Sequence, residues 1–305
     1  MQVMVVGQIA RDLVLRIPDV PGPLNTAPVR ARLEMLGGKG ANQAVGLAQL
    51  GVPVALLGVV GDDDVGRRLL DQARSDGVDT SPVIRRSETE TALVVDLVDG
   101  HGRWRYLEHL PRATLLTEAD VRSAADGLAA ATAVLVQLQQ PAKTAVAAAR
   151  RARDAGARVL LDGAPDDAEQ RDALLAAADI VRANAEEAVA LARTPIPDAA
   201  AAVRVGRDLL RRGPSLVALE VAGEGNVFVW PDGKAVMPLA DTPVVDTTGA
   251  GDALVAGLVG ALLRGDEVRQ AARFAVAAAA ATVGHPGGRP DLSAEAIGEH
   301  LAKLP

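Results

Sequence analysis

Short apolar runs alternate along the chain with longer segments in which apolar residues recur every three or four positions. The apolar runs, interpreted as strands, are residues 1–6, 54–60, 133–138, 158–162, 180–182 and 216–221. The amphipathic segments, predicted to be helices, are residues 41–50, 66–76, 142–154, 168–177 and 199–212. This alternation predicts a mostly parallel sheet with helices on both faces. Because the strand runs are continuously apolar, we expect the sheet to be buried on both sides.

Two segments depart from this rhythm. Residues 13–33 contain four prolines, and residues 89–107 alternate in polarity around a turn at 99–102. The second segment predicts a β-hairpin. It forms either an edge of the main sheet or a small β lid over the carboxyl ends of the strands, where open α/β sheets bind ligands. The last third is predicted to be helical, at residues 252–264, 267–283 and 293–302.

The composition narrows the classes of function. Of 305 residues, 49% are hydrophobic, which is enough to bury a large core in one domain or two. The absence of cysteine excludes disulfides and thiolate chemistry. A net charge of −7 argues against nucleic acid as a partner. A phosphate would therefore have to be bound locally, by helix-start amides, a cation or a single lysine.

The apolar runs also bear on location. No run is long enough to span a bilayer, and the first ten residues lack the basic region and cleavage site of a signal peptide. We therefore expect a soluble, cytoplasmic protein that has no membrane partner.

The strongest candidate for chemistry is the segment DTTGAGD at residues 246–252, which runs directly into an apolar helix. Gly249 and Gly251 leave backbone amides bare at the helix start, where the helix dipole favours an anion. Such a turn suits a phosphoryl group in transfer. Asp252, in the first turn of the helix, could accept the proton of an attacking hydroxyl. The alternative, favoured by the local pattern alone, is that Asp252 only caps the helix.

A second glycine-rich turn, GGKGAN at residues 37–42, also opens a predicted helix. Asn42 offers a donor and an acceptor, which suits neighbouring sugar hydroxyls. Lys39 could contact a phosphate, although an ordinary surface lysine is the simpler interpretation. The turn is not a Walker A loop, because Gly40 rather than serine or threonine follows the lysine. The first strand is also not followed by the glycine fingerprint of dinucleotide-binding dehydrogenases.

Polar residues follow two other strands. Asn184 and Glu187 are three positions apart after the 180–182 strand, so on a helix they share a face. An amide and a carboxylate there suit hydrated Mg²⁺, but a helix cap with a first-turn glutamate is the interpretation that the pattern favours. Asp12, past the first strand, could bind hydroxyls or could be a solvated aspartate paired with Arg11.

Taken together and in this order, the motifs resemble the ribokinase-like (PfkB) family of sugar kinases, with ribokinase nearest in motif. The matching segments are GGKGANQAV, GDDDVG at 61–66, GVDT at 77–80, NAEE at 184–187 and DTTGAGD. The resemblance runs from residue 7 to about residue 288. It implies one α/β domain over residues 1–305, a three-layer sandwich with a mostly parallel sheet. It also implies a small β lid formed by about 10–34 and 89–110, and a homodimer joined through the lids.

The resemblance also implies roles for single residues. Asp252 would be the catalytic base, with Gly249, Ala250 and Gly251 forming the anion hole. The sugar would be held by Asp12, Gly38, Lys39, Asn42 and Gln139. ATP and Mg²⁺ would be bound by Asn184 and Glu187, and the nucleotide also by Glu220, Gly223, Gly225 and Gly251. A monovalent cation, K⁺, would lie near Asp246, Thr248, Val283 and Gly288.

Several positions depart from the ribokinase pattern. Ala10 stands where ribokinases usually have a sugar-binding asparagine, and Gln139 stands where they have a glutamate. Residues 110–113 replace a usual Gly-Ala-Asn stretch. In the nucleotide region, Glu220 begins a segment that is usually Thr-x-Gly-x-x-Gly, and a carboxylate near phosphates would repel them unless it points away or meets the metal.

The resulting prediction is an ATP-dependent kinase that phosphorylates a hydroxymethyl group of a small carbohydrate. The acceptor could instead be a ketose, a sugar acid or a nucleoside. A phosphosugar would need a cationic clamp, for which Lys39, Arg103 and Arg105 are candidates. The remaining alternatives are a non-catalytic sugar- or nucleotide-binding regulator on the same fold and a nicotinamide-dependent oxidoreductase.

Overall fold

The computed structural model describes residues 2–101, 103–165, 167, 169–239, 242, 244–284, 289 and 292–304. The strands are β1 (Val3–Val6), β2 (Ala10–Arg16), β3 (Ala31–Gly37), β4 (Val54–Leu57), β5 (Val59–Gly61), β6 (Val78–Asp79), β7 (Ile84–Arg86), β8 (Leu93–Val98), β9 (Trp104–His109), β10 (Ala133–Gln137), β11 (Arg158–Asp162), β12 (Ile180–Ala183), β13 (Leu216–Val221), β14 (Gly225–Trp230) and β15 (Gly233–Pro238). The helices are α1 (Lys39–Gln49), α2 (Asp64–Ser75), α3 (Glu118–Ser123), α4 (Ala125–Ala130), α5 (Ala142–Asp154), α6 (Arg171–Ala177), α7 (Ala185–Ala192), α8 (Ala199–Leu210), α9 (Ala250–Arg264), α10 (Val268–Thr282) and α11 (Ala294–Leu301).

Nine strands form the main sheet, in the order β15-β14-β13-β12-β11-β10-β1-β4-β6. From β6 to β13 every neighbouring pair is parallel, and β14 runs antiparallel to both of its neighbours, β13 and β15. Helices α1, α2, α9, α10 and α11 pack on one face, and α3 to α8 pack on the other. The predicted α/β class, a mostly parallel sheet between two helical layers, is confirmed.

The alternation of side chains along the strands divides the core between these faces. Leu135 and Leu160 point towards α9 and α10, whereas Val136 and Leu161 point towards α5 and α6. All four are almost fully buried. At about 25 cal/mol for each Å² of apolar surface removed from water, each side chain contributes roughly 1.5–3 kcal/mol. Both faces are therefore apolar, as the continuous runs in the sequence predicted.

A separate four-stranded sheet, in the order β3-β2-β8-β9, is called the small sheet below. Its strands β8 and β9 form the predicted hairpin, and β8 pairs in parallel with β2. The alternative in which this hairpin is an edge of the main sheet is wrong. The four strands fall within or close to residues 10–34 and 89–110, the segments predicted to form a lid.

Two elements differ from the prediction. The apolar run at 54–60 is two strands, because β5 leaves the main sheet and pairs with β7. Gly58 lies between them, and a Cβ there would be 2.7 Å from the Gly7 carbonyl oxygen. The antiparallel strands β14 and β15 were not predicted at all. No helix in the described part of the chain is long and apolar enough to cross a membrane.

Candidate active site

The start of α9 is built by two glycines. Gly249 precedes the helix in the left-handed conformation, with φ 74°, and Ala250 is the first helical residue. No side chain caps this end, so the first-turn amides have no partner within the helix. Asp252 lies in this turn and is only 5% exposed. The simple capping role that the sequence allowed for Asp252 is therefore wrong.

The start of α1 lies close against the end of β1. Gly38 precedes the helix with φ 86°, a conformation that favours glycine. Gly40 faces Gly7 so closely that a Cβ on Gly40 would be 2.6 Å from the Gly7 carbonyl carbon. This contact sets the position of the first turn of α1 and so directs Asn42 and Gln43 towards α9.

The two glycine-rich turns meet at Asp252. Asn42 donates from Nδ2 to Asp252 Oδ2 at 3.2 Å, and Gln43 donates from Nε2 to Asp252 Oδ1 at 3.1 Å. Both carboxylate oxygens are thus held by amide groups from α1. Two segments more than 200 positions apart in the chain converge on one carboxylate.

The environment of Asp252 favours its protonated form. Burial is the largest cause, followed by the neighbouring carboxylate of Asp162, and together they raise the pKa of Asp252 to about 7. Lys39, the Asn42 amide and Arg182 act in the opposite direction. A carboxyl group with a pKa near 7 can exchange a proton at neutral pH, as a general base must.

Asn184 and Glu187 form a reciprocal cap at the start of α7. Asn184 Oδ1 accepts from the Glu187 amide at 2.8 Å, and Glu187 Oε2 accepts from the Asn184 amide at 2.9 Å. Lys39 donates to the other oxygen of Glu187 at 2.8 Å. Burial would raise the pKa of Glu187, but Lys39 and the Asn184 amide hold it below its ordinary value. The helix-cap interpretation is confirmed, and Lys39 is not an ordinary surface lysine.

Arg182 was missed by the sequence analysis. Its guanidinium, 5% exposed as a residue, donates to Asp162 at 3.1 Å and lies 3.5 Å from Glu220. A Cβ on Gly251 would be 2.7 Å from Arg182 Nη2, so the guanidinium packs against the start of α9. Glu220 therefore faces a cation. The sequence feature that could have revealed Arg182 is a charged residue near the end of an apolar run predicted to be a buried strand.

The small sheet contributes Asp12 from β2. Its carboxylate lies over Gly37, where a Cβ would come within 1.9 Å of it. Burial, then the carboxylates of Asp96, Asp252 and Asp246, raises the pKa of Asp12 to about 8. Asp12 is thus buried near other acids and is not a solvated loop residue.

The small sheet also contacts the segment before α9. Tyr106 and Thr248 hydroxyls are 2.7 Å apart, and Asp246 Oδ1 accepts from the Thr248 amide. The Val283 carbonyl accepts from the Val245 and Asp246 amides, at 2.8 and 3.2 Å. Three of the predicted cation-site residues are therefore adjacent, and Gly288 lies outside the described residues. The described part of the chain holds no cluster of three or more acidic or histidine side chains that could bind a metal.

Gln139 is exposed and lines a cavity of about 770 Å³ together with Glu187 and Arg112. The cavity therefore borders the charge pair of Lys39. Ala10 is fully buried in β2 and offers no polar group. Gly223, by contrast, lies in the turn between β13 and β14, and Gly225 is the first residue of β14.

Comparisons with known proteins agree with this geometry. The family model for pfkB family carbohydrate kinases matches residues 1–295. The chain is 33% identical over 306 residues to an ATP-dependent ribose-1-phosphate kinase from Halopiger xanaduensis, covering 99% of this chain and 98% of that one. It is 30% identical over 289 residues to a ribokinase from Haemophilus influenzae, covering 94% of each.

A solved structure shares the fold. Arabidopsis thaliana ribokinase, complexed with ribose and ATP, aligns with a TM-score of 0.82 at 25% identity, covering 98% of each chain. The nicotinamide-dependent oxidoreductase is thereby excluded, and the predicted family, fold class and type of reaction are confirmed. The chain belongs to the pfkB family of carbohydrate kinases, phosphotransferases that act on a sugar hydroxyl with ATP as donor.

Proposed function

We propose that the chain transfers the γ-phosphoryl group of ATP to a hydroxymethyl group of a ribose-like sugar, with Asp252 as the general base. The observation that carries this proposal is the position of Asp252, held by Asn42 and Gln43 at a helix start that no side chain caps. The amides of Gly249, Ala250 and Gly251 would stabilise the transferred group. Arg182, packed behind Gly251, adds positive charge at that place.

The donor side of the site would be formed by α7 and the turn after β13. Asn184 and Glu187 supply oxygen atoms of the kind that Mg²⁺ prefers. Each of these oxygens already accepts a hydrogen bond, which fits an ion held through water better than direct ligation. A bound Mg²⁺ would neutralise phosphate charge. Glu220, Gly223 and Gly225 would line the nucleotide region, with the charge of Glu220 offset by Arg182.

A monovalent cation such as K⁺ would lie beside the anion hole. The Asp246 carboxylate, the Thr248 hydroxyl and the Val283 carbonyl are hard oxygen donors, and all three are brought together by the hydrogen bonds described above. The cation would fix the 246–248 segment that leads into α9.

A cytoplasmic location remains a prediction.

The acceptor would lie between the small sheet and α1. Asp12, Gly38, Asn42 and Gln139 would bind its hydroxyls, and Lys39 would face it from the side of Glu187. Ala10 and Gln139 offer fewer charged or polar contacts than the ribokinase pattern. The site is therefore expected to accept a range of sugars that differs from that of ribokinases. Ketoses, sugar acids and nucleosides remain alternative acceptors.

A second candidate acceptor is a pentose 1-phosphate. One relative, at 33% identity, is an ATP-dependent ribose-1-phosphate kinase. The neutral Gln139 and Arg112 line a cavity that Glu186 and Glu187 also line, so an anionic group there would have to lie on the side of Arg112 and Gln139. Arg103 is not available for this purpose, because it pairs with Asp99 at 2.7 Å in the hairpin turn, and Arg105 lies 3.8 Å from the same carboxylate.

The test is an assay of ADP release over ribose, deoxyribose, ribose 1-phosphate, ketoses, sugar acids and nucleosides, with and without K⁺. We expect turnover with ribose or ribose 1-phosphate, increased by K⁺. Turnover with a nucleoside alone would replace the proposed acceptor. Ligand-induced increases in melting temperature without ADP release from any sugar would favour the non-catalytic regulator.

We also propose that two copies associate through their small sheets. Leu33, Trp104 and Tyr106 are 38%, 47% and 38% exposed, and strand pairing places them on the face that carries Asp12. A partner's sheet lying there would cover apolar surface and close the acceptor site.

We expect sedimentation to give a dimer and Trp104→Glu to weaken it, because the substitution places a charge in an apolar contact. Leu239→Glu, at a leucine after β15 that is 58% exposed, is the control for an added surface charge and should leave the dimer intact. A monomeric wild-type protein at micromolar concentration would contradict the proposed association.

A further inference from the structure

Three neighbouring strands of the main sheet carry a buried polar residue at their last or next-to-last position. Gln137, Asp162 and Arg182 are partners in the register of β10, β11 and β12. Their exposures are 0%, 0% and 5%. They share the face that carries Leu135 and Leu160 deeper in the core, so they point towards α1 and α9. This row of polar residues lies beneath the candidate base, although no sequence motif marks it.

Asp162 is bound on both of its oxygens. Oδ2 accepts from Gln43 Nε2 at 2.7 Å, and Oδ1 accepts from Arg182 at 3.1 Å. A fully buried carboxylate requires such partners, because removing one leaves an uncompensated charge. Arg182 is itself fixed, since its guanidinium packs against Gly251 and faces Glu220. The Asp162 side chain is therefore held in one position at the carboxyl end of β11.

Gln43 connects this rigid carboxylate to Asp252. The same Nε2 group donates to Asp162 at 2.7 Å and to Asp252 at 3.1 Å, and the side chain is fully buried. The amide oxygen of Gln43 has no hydrogen-bond partner among the described residues. The side chain is thus oriented by its two carboxylate contacts, with both amide protons used between them.

We propose that Asp162, acting through Gln43, is a positioning residue that orients the Asp252 carboxylate and sets its affinity for a proton. This inference rests on the proposed function, in which Asp252 is the base. Asp162 itself is fully buried and offers no exposed atom to a sugar. It fixes the amide that holds one oxygen of Asp252, while Asn42 holds the other.

The charges around Asp252 decide the direction of the effect. Asp162 on β11 and Asp12 on β2 are like charges that favour the protonated form, whereas Lys39 on α1 and Arg182 on β12 favour the ionised form. Asn42 and Gln43 donate hydrogen bonds to the carboxylate. Replacing Asp162 by a neutral residue removes a like charge and leaves Arg182 less neutralised. Both changes lower the pKa of Asp252.

The test is the pH profile of kcat for Asp162→Asn. We expect the acid limb to move down by about one pH unit. We expect kcat above pH 8 to fall by roughly tenfold, since a weaker base held less firmly accepts the proton less well. The KM values for ATP and sugar should stay within about twofold, because Asp162 is fully buried and exposes no atom to either substrate.

Asp120→Asn is the matched control. Asp120 is also paired with an arginine, Arg86, at 2.7 Å, but it is part-buried and belongs to the capping box of α3 rather than facing α9. Its substitution should lower the melting temperature and leave the pH profile unchanged. A general loss of stability is thereby separated from an effect on Asp252.

A second variant covers the case in which Asp162→Asn does not fold. Gln43→Asn keeps the amide but is too short to bridge both carboxylates, so we expect kcat to fall with little change in KM. Folded variants with wild-type kcat and pH profile would overturn the inference. If the Asp252→Asn variant keeps its turnover, the assignment of Asp252 as the base is wrong. If Asp252→Asn is inactive but Asp162→Asn behaves like the wild type, only the positioning role of Asp162 is wrong.

Discussion

Asp252→Asn is expected to lower kcat by about a hundredfold or more, because the amide cannot take the proton of the acceptor hydroxyl. The substitution is nearly isosteric and sits between Asn42 and Gln43, so binding of the sugar should change little. The measurement is ADP release at saturating ATP and sugar. In the wild-type enzyme the same rate should rise with pH through about 7, where Asp252 loses its proton, and level off above it.

Stability provides the control for this variant. The folded-state pKa of Asp252 is raised above the ordinary 3.8 to about 7, so its ionisation opposes folding increasingly as the pH rises between those values. At pH 8 the asparagine variant should therefore melt no lower than the wild type. Asp63→Ala, which removes the N-cap side chain of α2, should show the reverse: lower stability and normal kcat. Near-normal turnover of Asp252→Asn would refute the assignment of the base.

Gly40→Ala is expected to damage both folding and catalysis. The added Cβ would lie 2.6 Å from the Gly7 carbonyl carbon and 2.8 Å from the Gln8 amide nitrogen, and backbone atoms cannot rotate away. Relieving this overlap should cost about 2 kcal/mol or more of stability. Moving α1 by even about 1 Å displaces the two amides that hold Asp252, which should lower kcat/KM by about a hundredfold.

Thermal melting and steady-state kinetics measure the two effects. The matched control is Gly298→Ala in α11, where a Cβ would meet nothing within 4 Å. Alanine favours a helix over glycine by about 1 kcal/mol, so this variant should be fully active and at least as stable as the wild type. A Gly40→Ala enzyme with unchanged stability and activity would mean that the β1–α1 contact does not fix the site.

Much of the layered fold could be predicted, because parallel strands buried on both faces are visible in the sequence as continuous apolar runs. The strands at 158–162 and 216–221 and the helix at 142–154 have the predicted bounds. The division of 54–60 was not visible, because Gly58 separates two strands that are equally apolar. The β14–β15 hairpin was missed, since apolar and polar residues alternate only weakly along its sequence.

The site residues that belong to sequence motifs were predicted. The site residues that only the pairing of strands brings together were missed. The turns carrying Asn42 and Asp252 were both predicted from their glycines, and the structure brings them together. Asp162 and Arg182 were missed, because a single polar residue at the end of an apolar strand resembles a simple boundary. Only the register of the parallel strands reveals that the two side chains are neighbours.

The separation of Asn42 and Asp252 by 210 positions has a consequence during synthesis. At about 5–20 residues per second, a ribosome needs roughly 10–40 s to pass from one to the other. Throughout that interval the nascent chain carries the sugar-side turn but neither the acidic group nor the anion-binding helix start. With Asp252 as the proposed base, an unfinished chain that lacks it would not transfer phosphate from ATP, and a messenger cut before codon 252 would yield an inactive product.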